Sequence, residues 1–118
     1  MGLEMGMITV DCAEPQRLAE FWTAALGVSV AADYGEFVML EDPASGGPRL
    51  GFQRVPEPRA GKNRVHVDFG ADDREAEVRR LVGLGAVELG KHSVPGLEWT
   101  VLEDPEGNVF CVSAKGAH

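Results

Sequence analysis

Two halves of this 118-residue chain follow the same pattern. Leu40-Glu41-Asp42-Pro43 returns as Leu102-Glu103-Asp104-Pro105, each preceded by an aromatic and two further residues, Phe37-Val38-Met39 and Trp99-Thr100-Val101. Leu26-Gly27 returns as Leu84-Gly85 and Phe52 as Phe110, both 58 residues later. Matches in one order at nearly constant spacing argue for a duplicated module, and two copies make a paired domain rather than a solenoid. The length suits one domain, 1–118, with modules at about 5–55 and 62–114.

Each module repeats one order of elements. Met7 to Cys12 alternates like a strand. A helix follows with Pro15 in its first turn, an apolar face of Leu18, Phe21, Trp22, Ala25 and Leu26, and Gly27 as its stop. Strand patterns run over Val28–Tyr34, Glu36–Glu41 and Arg49–Val55, with a turn at Asp42–Pro48. Module two opens with Val65–Phe69, and its helix starts at Asp72 or Asp73, Asp72 with Glu75 resembling a capping box. That helix carries a Val78, Leu81, Val82 stripe and ends at Gly85. Strand patterns follow at Ala86–Leu89, Leu97–Glu103 and Asn108–Ser113, giving βαβββ twice around a Pro56–Lys62 linker.

Strand alternation assigns faces. With Ile8, Val10, Cys12, Leu50, Phe52, Val65, Val67, Phe69, Phe110 and Val112 placed under the helices, the opposite surface collects Thr9, Asp11, Gln53, His66, Asp68 and Cys111. A sheet face carrying ionisable groups reads as a pocket wall. His66 is the first candidate for acid/base work, since imidazole titrates near neutrality. Asp68, two residues along the same face, is its candidate orienter; a strand histidine merely satisfied by that neighbour is the plainer account. Cys111 reads as a buried inert thiol or as a nucleophile activated by His66. Phe21 and Trp22 belong to the core; Trp99 is left without a face. Lys62 and Arg64 precede the central strand and suit an anionic group at a rim, and His92 and His118 receive no role.

Composition narrows the partners. Eleven basic against 19 acidic residues, net charge -8, make nucleic acid and anionic lipid poor partners. No apolar run reaches the ~20 residues of a membrane span, and the N-terminus has neither a signal-peptide nor a myristoylation pattern. Two cysteines, Cys12 and Cys111, suit a reducing cytoplasm.

The chain resembles the vicinal oxygen chelate superfamily, the glyoxalase and bleomycin-resistance fold. The resemblance rests on Asp11-Cys12-Ala13-Glu14-Pro15 leading to Leu18-Ala19-Glu20-Phe21-Trp22 and Leu26-Gly27. It rests also on Phe52-Gln53-Arg54-Val55-Pro56, Lys62-Asn63-Arg64-Val65-His66-Val67-Asp68 and Asp104-Pro105-Glu106-Gly107-Asn108. It implies an α+β fold of two βαβββ modules, a cupped, mostly antiparallel eight-stranded sheet with outer helices, usually in a homodimer. The places where metal-dependent members hold ligands fall on Met7, Gln53, His66 and Cys111, and only His66 is a standard ligand type there. No metal cofactor is therefore expected; the softer pair, His66 with Cys111, is where Zn or Cu(I) would bind if any did. Two functions follow as expectations. One is a divergent, metal-independent lyase or isomerase with His66 and Asp68 catalytic and Gln53, Thr9, Asp11, Cys111 and Met7 lining the ligand site. The other is a binding protein that sequesters a drug or metabolite without chemistry.

Overall fold

The structure is a computed structural model and describes residues 2–115; His118 lies outside the described residues. The chain divides into two compact units between Arg59 and Ala60.

In the first unit β1 (Met7–Cys12) leads into α1 (Pro15–Leu26), then β2 (Val30–Asp33), β3 (Phe37–Leu40) and β4 (Arg49–Arg54). Pro15 fits the first turn because its missing N–H would have no helical partner there. Gly27 ends the helix at φ 68°, donating its N–H to Thr23 O, a left-handed geometry that glycine adopts without strain. The buried face of α1 is Leu18, Ala19, Phe21 and Trp22, with the two aromatic rings edge to face at 5.0 Å. It packs on β3 and β4, where Val38, Leu40, Leu50 and Phe52 are buried. The sheet runs β1-β4-β3-β2, with β1 parallel to β4 and the other pairs antiparallel.

The second unit repeats this topology with β5 (Val67–Ala71), α2 (Arg74–Leu84), β6 (Val87–Val94), β7 (Leu97–Glu103) and β8 (Val109–Ala114), ordered β5-β8-β7-β6. The eight strands thus form two four-stranded mixed sheets, one per module, each with one helix.

Several local readings change. Val65 is not under the helix: β5 starts only at Val67, and Val65 is 79% exposed. Asp73, not Asp72, caps α2, its carboxylate accepting from Ala76 N at 3.1 Å, while Asp72 pairs with Lys115 instead. Val82 drops out of the stripe at 44% exposed, leaving Val78 and Leu81 as the buried anchors. A charged residue fastens the same helix. Arg74 donates to Thr100 Oγ1 at 2.7 Å and to Glu98 at 3.1 Å, tying the start of α2 to β7. β6 continues past Gly90 to Val94 because the strand absorbs the glycine at a register shift between Glu88 and Gly90.

The repeated Asp-Pro turns also differ. Asp104 is 2% exposed and accepts from the backbone N–H groups of Glu106 and Asn108 and from the Asn108 amide. Its counterpart Asp42 stands in solvent and pairs with Arg49 at 3.1 Å.

Candidate functional site

The second unit's sheet has two chemically distinct faces. Phe69, Phe110, Val112, Thr100 and Leu102 lie on the α2 side, and Phe69 and Phe110 pack edge to face at 5.8 Å. The pairing registers put Asp68 opposite Cys111, Cys111 opposite Val101, and Ser113 opposite Trp99 on the other face. There a pocket of about 600 Å³ opens, the volume of a drug-sized ligand site. Its lining joins apolar Leu97, Trp99, Val101 and Val109 to Lys62, His66, Asp68, His92, Cys111 and Ser113, all from this unit.

At one end His66 Nδ1 stands 3.0 Å from Asp68 Oδ1, both side chains nearly half exposed to the pocket. An ionised carboxylate only accepts, so Nδ1 carries the hydrogen and Nε2 of the neutral ring presents a lone pair. Cys111 Sγ lies 3.9 Å from the same Nδ1. Burial first, and then the Asp68 carboxylate that accepts the thiol's hydrogen bond, push the Cys111 thiol up to about 11. The nearest imidazole nitrogen is already committed to Asp68, so His66 does not serve as the base for Cys111. That geometry and the raised thiol speak against the nucleophile reading of Cys111, which lines the pocket wall.

Two residues given no place by the sequence complete the pocket. Trp99 stands on the helix-free face, and His92, its register partner on β6, stacks on it with centroids 5.5 Å apart and planes 22° from parallel.

Met7, Thr9, Asp11 and Gln53 belong to the first unit. Asp11 is the register partner of Gln53, and Thr9 that of Gly51. A Cβ on Gly51 would stand 2.7 Å from the Phe37 ring and 3.0 Å from Met7 Sδ, so those two side chains close over the glycine. Met7 is thus a packing residue of that face. The register also shows that Asp11, paired with Gln53, holds the place that Asp68, paired with Cys111, holds in module two. By the same offset Thr9, not Met7, is the module-one counterpart of His66.

These donors do not fit the superfamily's divalent-metal centre. Module one offers a hydroxyl or thioether and an amide, and the Gln53 amide N–H groups turn to the backbone oxygens of Glu36 and Arg54. In module two His66, Asp68 and Cys111 have donor atoms within 4.8 Å of one another. Two of the three are joined by the His66 Nδ1–Asp68 hydrogen bond, and Cys111 Sγ lies 3.9 Å from the same nitrogen.

A search of curated protein sequences finds no match. Among solved structures, the chain is similar to a glyoxalase/bleomycin resistance protein/dioxygenase family enzyme from Burkholderia phytofirmans PsJN, at TM-score 0.78 and 17% identity, covering 95% of this chain and 98% of that one. It is similar to a glyoxalase family protein from Bacillus cereus, at TM-score 0.75 and 16% identity over 97% and 95% of the two chains. It is also similar to a lactoylglutathione lyase from Agrobacterium tumefaciens, at TM-score 0.69 and 19% identity over 98% and 95%. At such identities the likeness shows the fold alone. A family profile described as a glyoxalase-like domain matches residues 7–113, from the first residue of β1 into β8. Both copies of the repeat fall within that match, and the chain belongs to the glyoxalase-like domain family.

Proposed function

We propose that the second module binds a small organic molecule and moves a proton on it without a metal, as a divergent lyase or isomerase. The observation that carries this reading is the His66–Asp68 pair in the wall of the pocket, 3.0 Å apart. His66 Nε2 takes a proton from the bound molecule, and the Asp68 carboxylate stabilises the imidazolium that forms. Return of the proton to another atom is an isomerisation; loss of a neighbouring group is an elimination. Ser113 and Lys62 line the same pocket and supply donors for negative charge that develops on the ligand. The reading takes the protein as a homodimer, as the family resemblance implies, and as cytoplasmic, which its two free cysteines suit.

The test is hydrogen exchange in D₂O, followed by proton NMR over a panel of aryl-substituted 2-oxo and 2-hydroxy acids. Wild type should exchange or convert at least one of them, and His66→Ala should slow this about 100-fold or more. A panel member that binds and returns unaltered with either protein supports the second reading, a sequestering protein. The Trp99–His92 stack and the apolar walls favour that alternative, since they hold a ligand without acting on it.

A further inference from the structure

From the lining of the second module's pocket we infer its ligand class: an elongated aromatic anion, with a flat ring at the Trp99 end and a negative group at the Lys62 end. This deepens the pocket reading above and rests on it. His92 covers one face of the Trp99 indole, so the other face looks toward β8, the neighbouring strand. The residue opposite Trp99 on β8 is Ser113, a small side chain that lines the same pocket. A slot walled by an aromatic plane and floored by a small side chain accepts a flat ring and resists a bulky branched one.

The other end differs in charge. β5 runs parallel to β8 with Val67 opposite Phe110, so His66 and the segment carrying Lys62 enter at the Val109 end of the pocket. From Ser113 back to Val109 is about 13 Å of strand; Val101, Val109 and the Cys111 thiol along it carry no charge, and the carboxylate that lines the same stretch, Asp68 opposite Cys111, is turned to His66 Nδ1 at 3.0 Å. Arg17, Arg49, Arg54, Arg74, Arg80 and Lys115 each pair with a carboxylate. Among the described residues Lys62, Arg64, Arg79 and Lys91 have no ion pair although the chain carries 19 acidic side chains, and of these four only Lys62 lines the pocket. An ammonium left unpaired at a pocket rim, in so acidic a protein, is a counter-charge for a ligand anion. The order of groups is therefore ring slot, apolar span, His66, cation.

Two fluorescent probes that differ by one sulfonate test this: 1-anilinonaphthalene-8-sulfonate and the uncharged N-phenyl-1-naphthylamine. Each is titrated into the full chain at low salt, as wild type, Lys62→Gln and Trp99→Leu. Lys62→Gln should weaken the sulfonate about fivefold and leave the uncharged probe unchanged. Trp99→Leu should weaken both by about 3- to 10-fold. Equal response of the two probes to Lys62→Gln, with both still sensitive to Trp99→Leu, overturns the anion assignment while the pocket stands. Insensitivity of both to Trp99→Leu overturns the ring slot. Binding of neither probe to wild type overturns the pocket reading and this inference with it.

Discussion

Cys111 separates a thiol that reacts from one that only packs. Burial and the facing Asp68 carboxylate raise its pKa from 9.0 to about 11. At pH 8 that shift lowers the thiolate fraction about 100-fold relative to an ordinary thiol. Alkylation by iodoacetamide should therefore be at least about 100-fold slower than for glutathione. The rate should rise about tenfold per pH unit between pH 7.5 and 9.5, because only the thiolate attacks. Asp68→Asn keeps the shape of the side chain and removes its charge; burial, the larger cause, remains. That variant should react about 3- to 10-fold faster than wild type, short of the full 100-fold. Cys12 is also a buried free cysteine, so the two must be read separately, by mass spectrometry of the peptides after timed quenching. The linkage runs the same way. A thiol whose folded pKa is raised contributes its stability fully below pH about 9, and that contribution is lost as the pH rises through about 11. Wild-type Cys111 reacting within about threefold of glutathione at pH 8 would refute the reasoning and return Cys111 to the nucleophiles. An Asp68→Asn rate equal to or below wild type would show that the carboxylate does not hold the thiol.

Two further outcomes follow from other parts of the structure. Asp104→Ala leaves the Glu106 and Asn108 N–H groups without their buried acceptor and should cost about 3 kcal/mol, seen by circular dichroism as a melting temperature lower by about 10 °C. Asp42→Ala at the exposed copy of the same tetrapeptide should cost less than about 1 kcal/mol, and equal losses would mean the turns are not energetically distinct. Zinc or a chelator should move the melting temperature by less than about 1 °C, because the positions that hold the superfamily's divalent metal carry only one standard ligand type, His66. A zinc-dependent rise that disappears in both His66→Ala and Cys111→Ser would reinstate a metal centre.

What could be read in advance was local. β1 and α1 follow from alternation between Met7 and Cys12 and from Pro15 and Gly27 at the helix ends, signals carried within a few residues of where they act. The same parity put His66, Asp68 and Cys111 on one surface, and their atoms lie within 4.8 Å of one another. Trp99 and His92 were beyond that method. Their stacking depends on how β6 registers against β7, and the shift between Glu88 and Gly90 resets the alternation that a period count would use. The strand pattern over Ala86–Leu89 stops short of the half of β6 that carries His92. Val65 failed for the opposite reason: its apolar character extends the β5 pattern, yet no partner strand pairs with it. Lys62 was legible as a rim cation, but its lack of an ion pair depends on where every acidic side chain ends up.

The two modules show how a duplicated fold comes to hold unequal chemistry. Register makes Asp11 and Asp68 counterparts, and likewise Gln53 and Cys111. Both copies therefore keep a carboxylate at the same place on the helix-free face, and the difference lies in what stands beside it. In module two that neighbour is an imidazole, so the carboxylate sets a tautomer and leaves Nε2 free to exchange a proton. In module one the counterpart is Thr9, which has no group that titrates near neutrality, and Phe37 and Met7 close over Gly51 on that face. A carboxylate without an imidazole has no ring to orient, so the acid/base role proposed for the His66–Asp68 pair has no counterpart beside Asp11. The pocket itself lies wholly within module two: Trp99, His92, the His66–Asp68 pair and Lys62 all come from that copy, and the corresponding strands of module one carry Thr9, Asp11 and Gln53 instead.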